Sequence, residues 1–403
     1  MRFAASLEMN KSACASTLPI LCALAFTSCE AVPPACKTGV ATYVVGPVTS
    51  VQAVTLSDAP PRLRVSADTT PVPALKPYAS IPLALSAAKK DKVCHPTIQV
   101  RPGTFTGNVT LDRPVDILGP IDGVSVHQGF IHSDGWDLKL DHLTVEGAIG
   151  TAVDVRFAAF SSQFLKIQNT QAIADNPTSG RGLHLDNAVA TVSGASFTGN
   201  QGQSLVTEGP FATLKALGLD FTDNGYNPLY GQDQLHHLPT FLITGFAHAD
   251  VSLLQMTRNT GVGLGIYNRA QAYFAFSNIT QMLPVGNVQG FALATGEDST
   301  LELHHFEFNA NNAGAFLNAG YVTGFDGTID HNEYAYVFAP GTYPAGYSVP
   351  ACLGYSNLQL SDNTHGPVAL GDLPIPGPVC IPPGPCVPPP APTPVPCRFV
   401  PRL

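Results

Sequence analysis

Residues 251–270, VSLLQMTRNTGVGLGIYNRA, carry the pattern that decides the fold. Apolar and polar residues largely alternate up to Met256, the alternation stops at Asn259, the chain turns at Gly261, and an apolar run resumes at Val262. Alternation is typical of a strand with one buried face, and Asn and Gly tolerate the left-handed backbone of tight turns. The stretch therefore predicts two short strands joined by a turn.

The same pattern recurs along the chain. Comparable segments begin at four alanines spaced 22, 37 and 23 residues apart: Ala190, Ala212, Ala249 and Ala272. A base period of about 22 residues with loop insertions is typical of a solenoid of short parallel strands. The longer spacing reflects an insertion at residues 227–240, which we expect at the rim of a cleft. An antiparallel sandwich is the alternative, but the repeat offers few of the two-residue hairpin links that it needs.

The composition agrees with many short strands and turns in one large domain. Of the 403 residues only 12% are charged, whereas Gly (37) and Pro (36) are frequent. The formal net charge of −9 gives no basic footprint, which argues against nucleic acid as a partner.

The N-terminus predicts export. Arg2 and Lys11 precede an apolar run at residues 17–26, which has the length of a signal peptide and is too short to cross a bilayer. Residues 26–29, FTSC, resemble a bacterial lipobox, although the first residue departs from the usual aliphatic one. Lipidation of Cys29 and a plainly cleaved signal both stay open. Either predicts a bacterial protein that is secreted or held at the outer cell envelope, with a lipid anchor as the expected membrane contact.

Cysteine and proline mark the remaining organisation. Removing three cysteines of the signal segment from the nine leaves six, an even number that predicts disulfides of unknown pairing: Cys36, Cys94, Cys352, Cys380, Cys386 and Cys397. Metal ligation is the alternative, but the spacings are not zinc-like. We expect a signal peptide at residues 1–29, an irregular linker at 30–75, the solenoid at 76–372 and a proline-rich tail at 373–403.

Residues 78–120 carry a resemblance to a known family. They open with a short amphipathic helix, with Ser80 as N-cap and Pro82 in its first turn, and continue into IQVRPGTF at residues 98–105 and further short strands. This order resembles the start of pectin-lyase-like proteins, in which a capping helix leads into I-x-V-x-P-G-T-Y. The resemblance covers residues 78–372 and implies an all-β, single-stranded right-handed parallel β-helix with a short capping helix. The family holds lyases, hydrolases, esterases, tailspikes and adhesins, so the resemblance implies no single activity.

Aligning the coils by one buried residue each predicts a polar patch on the preceding strands. The aligned residues are Val145, Ile167, Phe197 and Phe221. The alignment stacks four segments as neighbouring parallel strands about 4.8 Å apart, namely IHSD (131–134), VDVR (153–156), LHLD (183–186) and LVTE (205–208). Their outward positions form two columns, the first being His132, Asp154, His184 and Val206, and the second Asp134, Arg156, Asp186 and Glu208.

The patch suits a site for acidic polysaccharide. The candidate catalytic residues are Asp154, Arg156, His184, Asp186 and Glu208, and the candidate substrate-binding residues are His132, Asp134, Tyr226 and Tyr230. Asp154 between two histidines would orient one as a general base. Asp186 over Glu208 would share a proton or bind Ca²⁺, because like charges so close raise one pKa or recruit a cation. The alternative is structural, since both columns are also ladders of alternating charge that stabilise a sheet.

Other polar and aromatic groups are weaker candidates. A third column has its two carboxylates about 14 Å apart, which exceeds the glycosidase separations and predicts a solvated face: Thr144, Lys166, Ser196, Asp220, Gln255, Asn278 and Glu307. Metal binding by His236, His237 and Asp233 in the insertion is a minor alternative. In LHHFEF the alternation predicts that His304 and His305 face opposite ways. Sugar stacking or rim packing would suit the aromatic residues Tyr226, Tyr230, Phe211 and Tyr267.

Catalytic signatures of the family do not transfer to this sequence. The NTD, DD, GHG and RIK elements of polygalacturonases are missing, and GQDQL matches the pectinesterase QDT element only faintly. We therefore expect a non-enzymatic, adhesin-like envelope protein that contacts polysaccharide or surface glycan and requires no cofactor. The alternative is a lyase or glycoside hydrolase that acts on acidic polysaccharide through the patch, and a pure scaffold is the third interpretation.

Overall fold

The computed structural model describes most of the chain between Cys36 and residue 369. The described residues are 36–37, 41–47, 77–174, 176, 178–225, 239–284, 290–296, 298–318, 320–339, 341–342, 348–349, 352–364 and 368–369. The chain divides into two compact units, Met1–Cys36 and Lys37–Leu403, and every described helix and strand belongs to the second. Within the described residues, no helix has the length and apolar character needed to span a membrane.

The helix predicted near residue 80 is present as α1 (Ile81–Lys90). Ser80 has extended backbone and its side chain accepts a hydrogen bond from the Leu83 amide at 3.4 Å, so the N-cap prediction is confirmed. Pro82 lies in the first turn as expected. The helix packs through Ile81, Ala84 and Ala88, whereas Leu83 is 53% exposed.

Short strands make up the rest of the described fold. In chain order they are β1 (Ala41–Val45), β2 (Pro96–Val100), β3 (Gly103–Thr106), β4 (Val109–Thr110), β5 (Val115–Leu118), β6 (Ser125–Gln128), β7 (Ile131–Asp134), β8 (Leu138–Asp141), β9 (Thr144–Glu146), β10 (Thr151–Arg156), β11 (Ala159–Gln163), β12 (Lys166–Gln168), β13 (Arg181–Asp186), β14 (Val189–Thr198), β15 (Leu205–Glu208), β16 (Thr213–Thr222), β17 (Pro239–Thr244), β18 (His248–Thr257), β19 (Val262–Ile266), β20 (Gln271–Thr280), β21 (Phe291–Thr295), β22 (Thr300–Asn309), β23 (Ala313–Asn318), β24 (Tyr321–Asp330), β25 (Tyr334–Ala339), β26 (Gly341–Thr342), β27 (Ser348–Val349), β28 (Cys352–Ser361) and β29 (Val368–Ala369).

The strands wind into a solenoid. One sheet of 16 strands runs from β1 to β28, and a second sheet of 11 strands runs from β4 to β29; from β13 to β25 successive strands alternate between the two sheets. Every pairing among the described strands is parallel except the short pair β26–β27. Parallel strands need crossover connections, and these are right-handed in nearly all proteins. The fold is a right-handed parallel β-helix.

Buried aromatic rings fill the interior and fix the register between coils. Ile167 pairs with Val145 and Phe197, and Phe197 pairs with Phe221, as the alignment of buried residues predicted. The rings of Phe197 and Phe221 stack at 4.7 Å. One of the four predicted starts of the repeat, Ala212, is out of register with the others, because Ala190 pairs with Leu214. Ala212 lies two residues earlier, in the turn before β16.

Left-handed residues bend the long strands where each coil turns a corner. The bend residues include Leu253, Phe276 and His305, with φ between 51° and 61°, although Gly and Asn are the residues that usually take this conformation. The bend corrects the prediction that His304 and His305 face opposite ways. Alternation stops at the bend, so both histidines stay outside the core while Leu303 and Phe306 point inward.

The alternation stops at Asn259 because this residue belongs to a ladder of buried asparagines. Arg258, and not Asn259, takes the left-handed conformation with φ of 53°. Asn259 Oδ1 accepts hydrogen bonds from the backbone and side-chain amides of Asn224, at 3.0 and 2.9 Å, and its own amide donates to the Phe221 carbonyl at 2.8 Å. Asn200, Asn311 and Asn332 act in the same way in other coils. The asparagines therefore satisfy buried backbone groups at each turn.

The solenoid begins earlier than the sequence indicated. Ala41–Val45, inside the expected linker, forms β1 and pairs in parallel with β2 through all five residues. Cys36 and Cys94 form a disulfide, which confirms the prediction of disulfides for two of the six cysteines. The tail cysteines and Cys29 lie outside the described residues.

Candidate functional site

The two predicted columns lie in register on the outward face of the second sheet. Asp154 pairs with His132 and His184, and Arg156 pairs with Asp134 and Asp186. The next strand continues the columns with Val206 and Glu208. The register follows from strand alternation, because the residues between them, such as Val153 and Val155, fill the core.

A cleft of about 400 Å³ covers part of this face. Residues of the turn before β10 and of the loop between β12 and β13 form its walls, and His132, Asp154, Arg156 and His184 contribute to its floor. The full lining is Thr110, Phe130, His132, Ile149, Gly150, Thr151, Asp154, Arg156, Ile173, Asn176, Thr178, Ser179, Arg181 and His184. The first column therefore borders a concave surface.

Asp154 is the centre of a hydrogen-bond network. Its Oδ2 lies 3.0 Å from His132 Nδ1, and its Oδ1 lies 2.8 Å from His184 Nδ1. Arg156 Nε donates to both oxygens, at 3.2 and 3.1 Å, and its Nη2 lies 2.9 Å from Oδ2. Only 9% of Asp154 is exposed, so the carboxylate is buried with its lone pairs occupied.

The network keeps Asp154 ionised. Burial is the largest single effect and opposes the charge, but hydrogen bonds from His184 and Arg156 outweigh it and hold the pKa of Asp154 well below its ordinary value. The hydrogen bond to Asp154 also raises the pKa of Arg156. The pairing corrects one expectation, because Arg156 binds the aspartate of its own strand rather than bridging Asp134 and Asp186. A long side chain can reach all three, and the buried partner offers the bidentate geometry.

His184 is held between two carboxylates. Its Nδ1 contacts Asp154 and its Nε2 lies 2.7 Å from Glu208 Oε1, so both nitrogens have an acceptor. Burial opposes protonation, yet the two hydrogen bonds outweigh it and raise the pKa of His184 above its ordinary value. Only 5% of the side chain is exposed. A buried imidazolium with both nitrogens engaged can position its neighbours, but it has no lone pair to offer as a general base.

The carboxylates of the second column do not form the expected pair. Glu208 binds His184, which lowers the pKa of Glu208 instead of raising it. Asp186 Oδ1 accepts a hydrogen bond from the Asn187 side chain at 2.7 Å. Each carboxylate thus has its own hydrogen-bond partner, and binding of Ca²⁺ between the two stays a prediction. Among the described residues, the group with metal-ligand spacing lies elsewhere, at Asp330, His331 and Asp362.

The wall of the cleft adds residues that the sequence did not single out. Arg181 begins β13, and its backbone amide and that of Gly180 both donate to the Gly150 carbonyl. Ser179 Oγ closes the preceding loop by hydrogen bonds with the Ile173 amide and the Asn176 carbonyl, at 2.7 and 2.6 Å. Strand alternation gives no signal for Arg181, because a residue three positions before His184 has the parity of the core residues Leu183 and Leu185.

The charged patch ends abruptly along the helix axis. Val206 is fully buried, and its partner in the next coil is Leu242. Farther along, the strands β19, β21, β23 and β25 of this sheet carry a second buried apolar cluster, made of Val262, Phe291, Ala294, Ala313 and Val337. The polar groups are therefore confined to the strands β7, β10, β13 and β15.

The remaining candidates divide into three groups. Tyr226, Tyr230 and the metal candidates Asp233, His236 and His237 lie outside the described residues. The third column is in register, and its members with charged side chains are exposed, as expected of a solvated face. Phe211 is 61% exposed, whereas Tyr267 packs against the second apolar cluster.

Comparisons with known proteins concern the fold. No family model matches the chain, and no curated protein matches it. The structure is similar to the A-module of the mannuronan C-5 epimerase AlgE4 of Azotobacter vinelandii, with 11% identity, a TM-score of 0.45, and coverage of 72% of this chain and 92% of that one. It is also similar to pectate lyase Pel9A, with 14% identity, a TM-score of 0.31, and coverage of 70% of this chain and 73% of that one. An alginate lyase of a Paenibacillus species is similar with 12% identity, a TM-score of 0.32, and coverage of 72% of this chain and 95% of that one. At these values no residue role or activity transfers to this chain.

Proposed function

We propose that this β-helix binds an acidic saccharide in the cleft over β7, β10 and β13. The observation that carries the proposal is Arg156, which lines the cleft while Asp154 holds its guanidinium through Nε and Nη2. A guanidinium fixed in this way presents its remaining N–H groups as a planar fork, which suits the carboxylate of a uronate residue. Arg181 lines the same cleft and adds a second positive charge.

The rest of the lining supports a sugar ligand. Hydroxyl and amide groups of Thr110, Asn176 and Thr178 are suited to hydrogen bonds with sugar hydroxyls, and Phe130 and Ile173 offer apolar surface to ring C–H groups. A few convergent polar groups on an apolar lining are typical of small-molecule sites. Asp154 and His184 are too enclosed to meet the ligand directly, so we assign them to holding Arg156 and His132.

Export belongs to the proposal. The Cys36–Cys94 disulfide supports an oxidising compartment, in which such bonds persist. Signal cleavage and lipidation of Cys29 are further parts of the proposal. Mass spectrometry of the protein recovered from its host would separate a lipidated Cys29 from a plain N-terminus.

The binding test pairs Arg156→Gln with a matched control. Arg258→Gln removes another exposed arginine that is held by an aspartate, because Arg258 Nε and Nη2 bind Asp223 at 2.9 Å. Calorimetric titration with oligogalacturonate, oligomannuronate and hyaluronan fragments should detect binding that Arg156→Gln weakens at least about tenfold, the loss of about 1.4 kcal/mol expected for one charged hydrogen-bond pair. Equal binding by Arg156→Gln and wild type would reject the cleft.

A second candidate function is eliminative cleavage of the same ligand. His132 favours it, because its Nδ1 faces Asp154 while 29% of its side chain stays exposed in the cleft. With the Nδ1 proton directed at Asp154, the Nε2 lone pair would take the proton next to the uronate carboxyl group. The C–H electrons would form the ring double bond, the glycosidic C–O bond would break, and the leaving oxygen would take up a proton.

Hydrolysis is less well supported than elimination. A glycosidase needs a protonated carboxyl group, and Asp154 and Glu208 both have lowered pKa values. Incubation with the same oligomers would release ultraviolet-absorbing unsaturated ends if the protein is a lyase. His132→Gln should abolish that product, whereas His248→Gln, at an exposed position on β18, should retain it. A protein that binds but releases no product remains a binding module.

A further inference from the structure

Three exposed phenylalanines line the turn that follows the charged strands. Phe157 comes directly after Arg156, and Phe211 and Phe246 occupy the same turn farther along the helix axis. They are 61%, 61% and 51% exposed. Hydrogen bonds from backbone amides connect the successive turns: the Phe157 amide donates to the Asp186 carbonyl at 3.0 Å, and the Phe211 amide donates to the side-chain Oδ1 of Asn187 at 3.2 Å.

The backbone does not require phenylalanine at these positions. Phe157 and Phe246 have φ of 51° and 67°, a conformation that is rare for bulky residues. Gly135 and Asn187 hold the position of Phe157 in the neighbouring coils. An exposed ring at a left-handed position is unfavourable for both the backbone and solvation, so the rings have no evident role in forming the turn.

Packing does not account for the rings either. The other exposed phenylalanines at left-handed positions contact histidine rings: Phe164 is tilted against His142 and Phe276 stacks on His305, with centroids 5.0 and 4.9 Å apart. Among the described residues, no aromatic ring stacks on Phe157 or Phe211. Phe246 faces the guanidinium of Arg269 at 5.7 Å.

We infer that Phe157, Phe211 and Phe246 form a stacking platform that extends the cleft into a track for a saccharide chain, an inference that rests on the proposed function. Coils repeat about every 4.8 Å along the axis, which is comparable with the length of one sugar residue. A pyranose ring presents a face of C–H groups that packs on an aromatic ring. The saccharide chain therefore runs parallel to the β-helix axis, from Arg156 towards Arg269.

Charge beside the track selects the kind of sugar residue. Asp186 lies between Phe157 and Phe211 along the chain of stacked turns, and its only direct side-chain partner among the described residues is the neutral Asn187. The Asp186 oxygens accept hydrogen bonds from sugar hydroxyls. Asp186 pairs in register with Arg156, so the guanidinium offsets its charge for a uronate in the cleft, whereas a second carboxylate farther along the axis meets the repulsion of Asp186 without that offset. The ligand is thus an acidic heteropolysaccharide, with a uronate residue in the cleft and neutral residues over Phe211 and Phe246.

The test compares chain lengths and compositions. Phe211→Ala and Phe246→Ala should weaken binding of a hyaluronan octasaccharide, which alternates uronate and neutral residues, about three- to tenfold more than binding of its disaccharide. Phe276→Ala is the matched control, because Phe276 is equally exposed (55%), left-handed and on the other bend. Phe211→Trp should retain binding and report it by fluorescence, since the chain has a single Trp.

The outcomes separate this inference from the proposed function. Loss of binding in Arg156→Gln with no extra loss for the long chain in Phe211→Ala and Phe246→Ala overturns the track and leaves the cleft. Length-dependent loss in the phenylalanine variants with unchanged binding in Arg156→Gln overturns the cleft and leaves the track. Equal length-dependent losses on oligogalacturonate overturn the selection of neutral residues. Absence of binding to every oligomer overturns both proposals.

Discussion

Replacing His127 with leucine should make the fold markedly more resistant to acid. His127 lies on β6 with no exposed surface, in register with Phe105 and Val145. Burial lowers the pKa of its imidazole from 6.5 to about 4. The unfolded chain therefore binds a proton at a pH where the folded protein does not.

The sign and size of the effect follow from that difference. Above pH 6.5 both states are neutral at this position, and the native protein loses stability as the pH falls from about 6.5 to about 4. A lowering by 2.5 pKa units at 1.36 kcal/mol each corresponds to about 3 kcal/mol of unfolding free energy. His127→Leu should lack this loss, whereas other titrating groups contribute equally to both proteins.

Urea unfolding at a series of pH values measures the difference directly. The gap in unfolding free energy between His127→Leu and wild type should widen by about 3 kcal/mol between neutral pH and pH 4. His248→Leu, at an exposed position on β18, controls for loss of an imidazole. A constant gap across the whole pH range would refute the assignment of His127 as a buried, neutral histidine.

Three further predictions address the ladder and the site. Asn259→Ala removes three hydrogen bonds to Asn224 and Phe221 and should cost about 3–5 kcal/mol in chemical unfolding. Asn309→Ala, at a half-buried position whose side chain donates only to Glu307, should cost almost nothing, and equal costs would contradict the ladder. The effect of pH on stability has the opposite sign for His184, because its pKa is raised in the folded protein. The stability that follows is complete below the unfolded pKa of about 6.5 and is lost as the pH rises through the folded pKa. His184→Gln should therefore lose more stability at acid than at alkaline pH, and a loss independent of pH would reject the imidazolium. Asp154→Asn should lower the pKa of His184 in an NMR titration, and an unmoved titration would remove Asp154 as its main partner.

The fold could be predicted because each coil carries a redundant signal. Strand alternation and one large interior side chain per coil, such as Ile167 or Phe197, fix the register, since a slip by one residue would expose every core residue. The bends could not be predicted in the same way. Phe276 and His305 take a left-handed conformation that their own preferences disfavour, because the sheets on both sides of the corner impose it.

The site could be predicted in its positions but not in its contacts. The columns placed Asp154 beside His132 and His184, and the structure has these pairs. The burial of Asp154 and the choice of Arg156 to bind it depend on side-chain rotamers and on how the loop before β13 packs. Neither property follows from strand periodicity. Periodicity therefore predicts that Glu208 shares a proton or a Ca²⁺ ion with Asp186, whereas in the structure Glu208 binds His184.

The confinement of the polar groups to β7, β10, β13 and β15 has a consequence for how such a molecule can change. Each coil of a solenoid makes its main contacts with the coil above and the coil below, so its stability is close to a sum over adjoining layers. Layers beyond Leu242 could then be duplicated, deleted or exchanged between relatives as whole modules. The length of the solenoid and the chemistry of the cleft would be free to diverge independently.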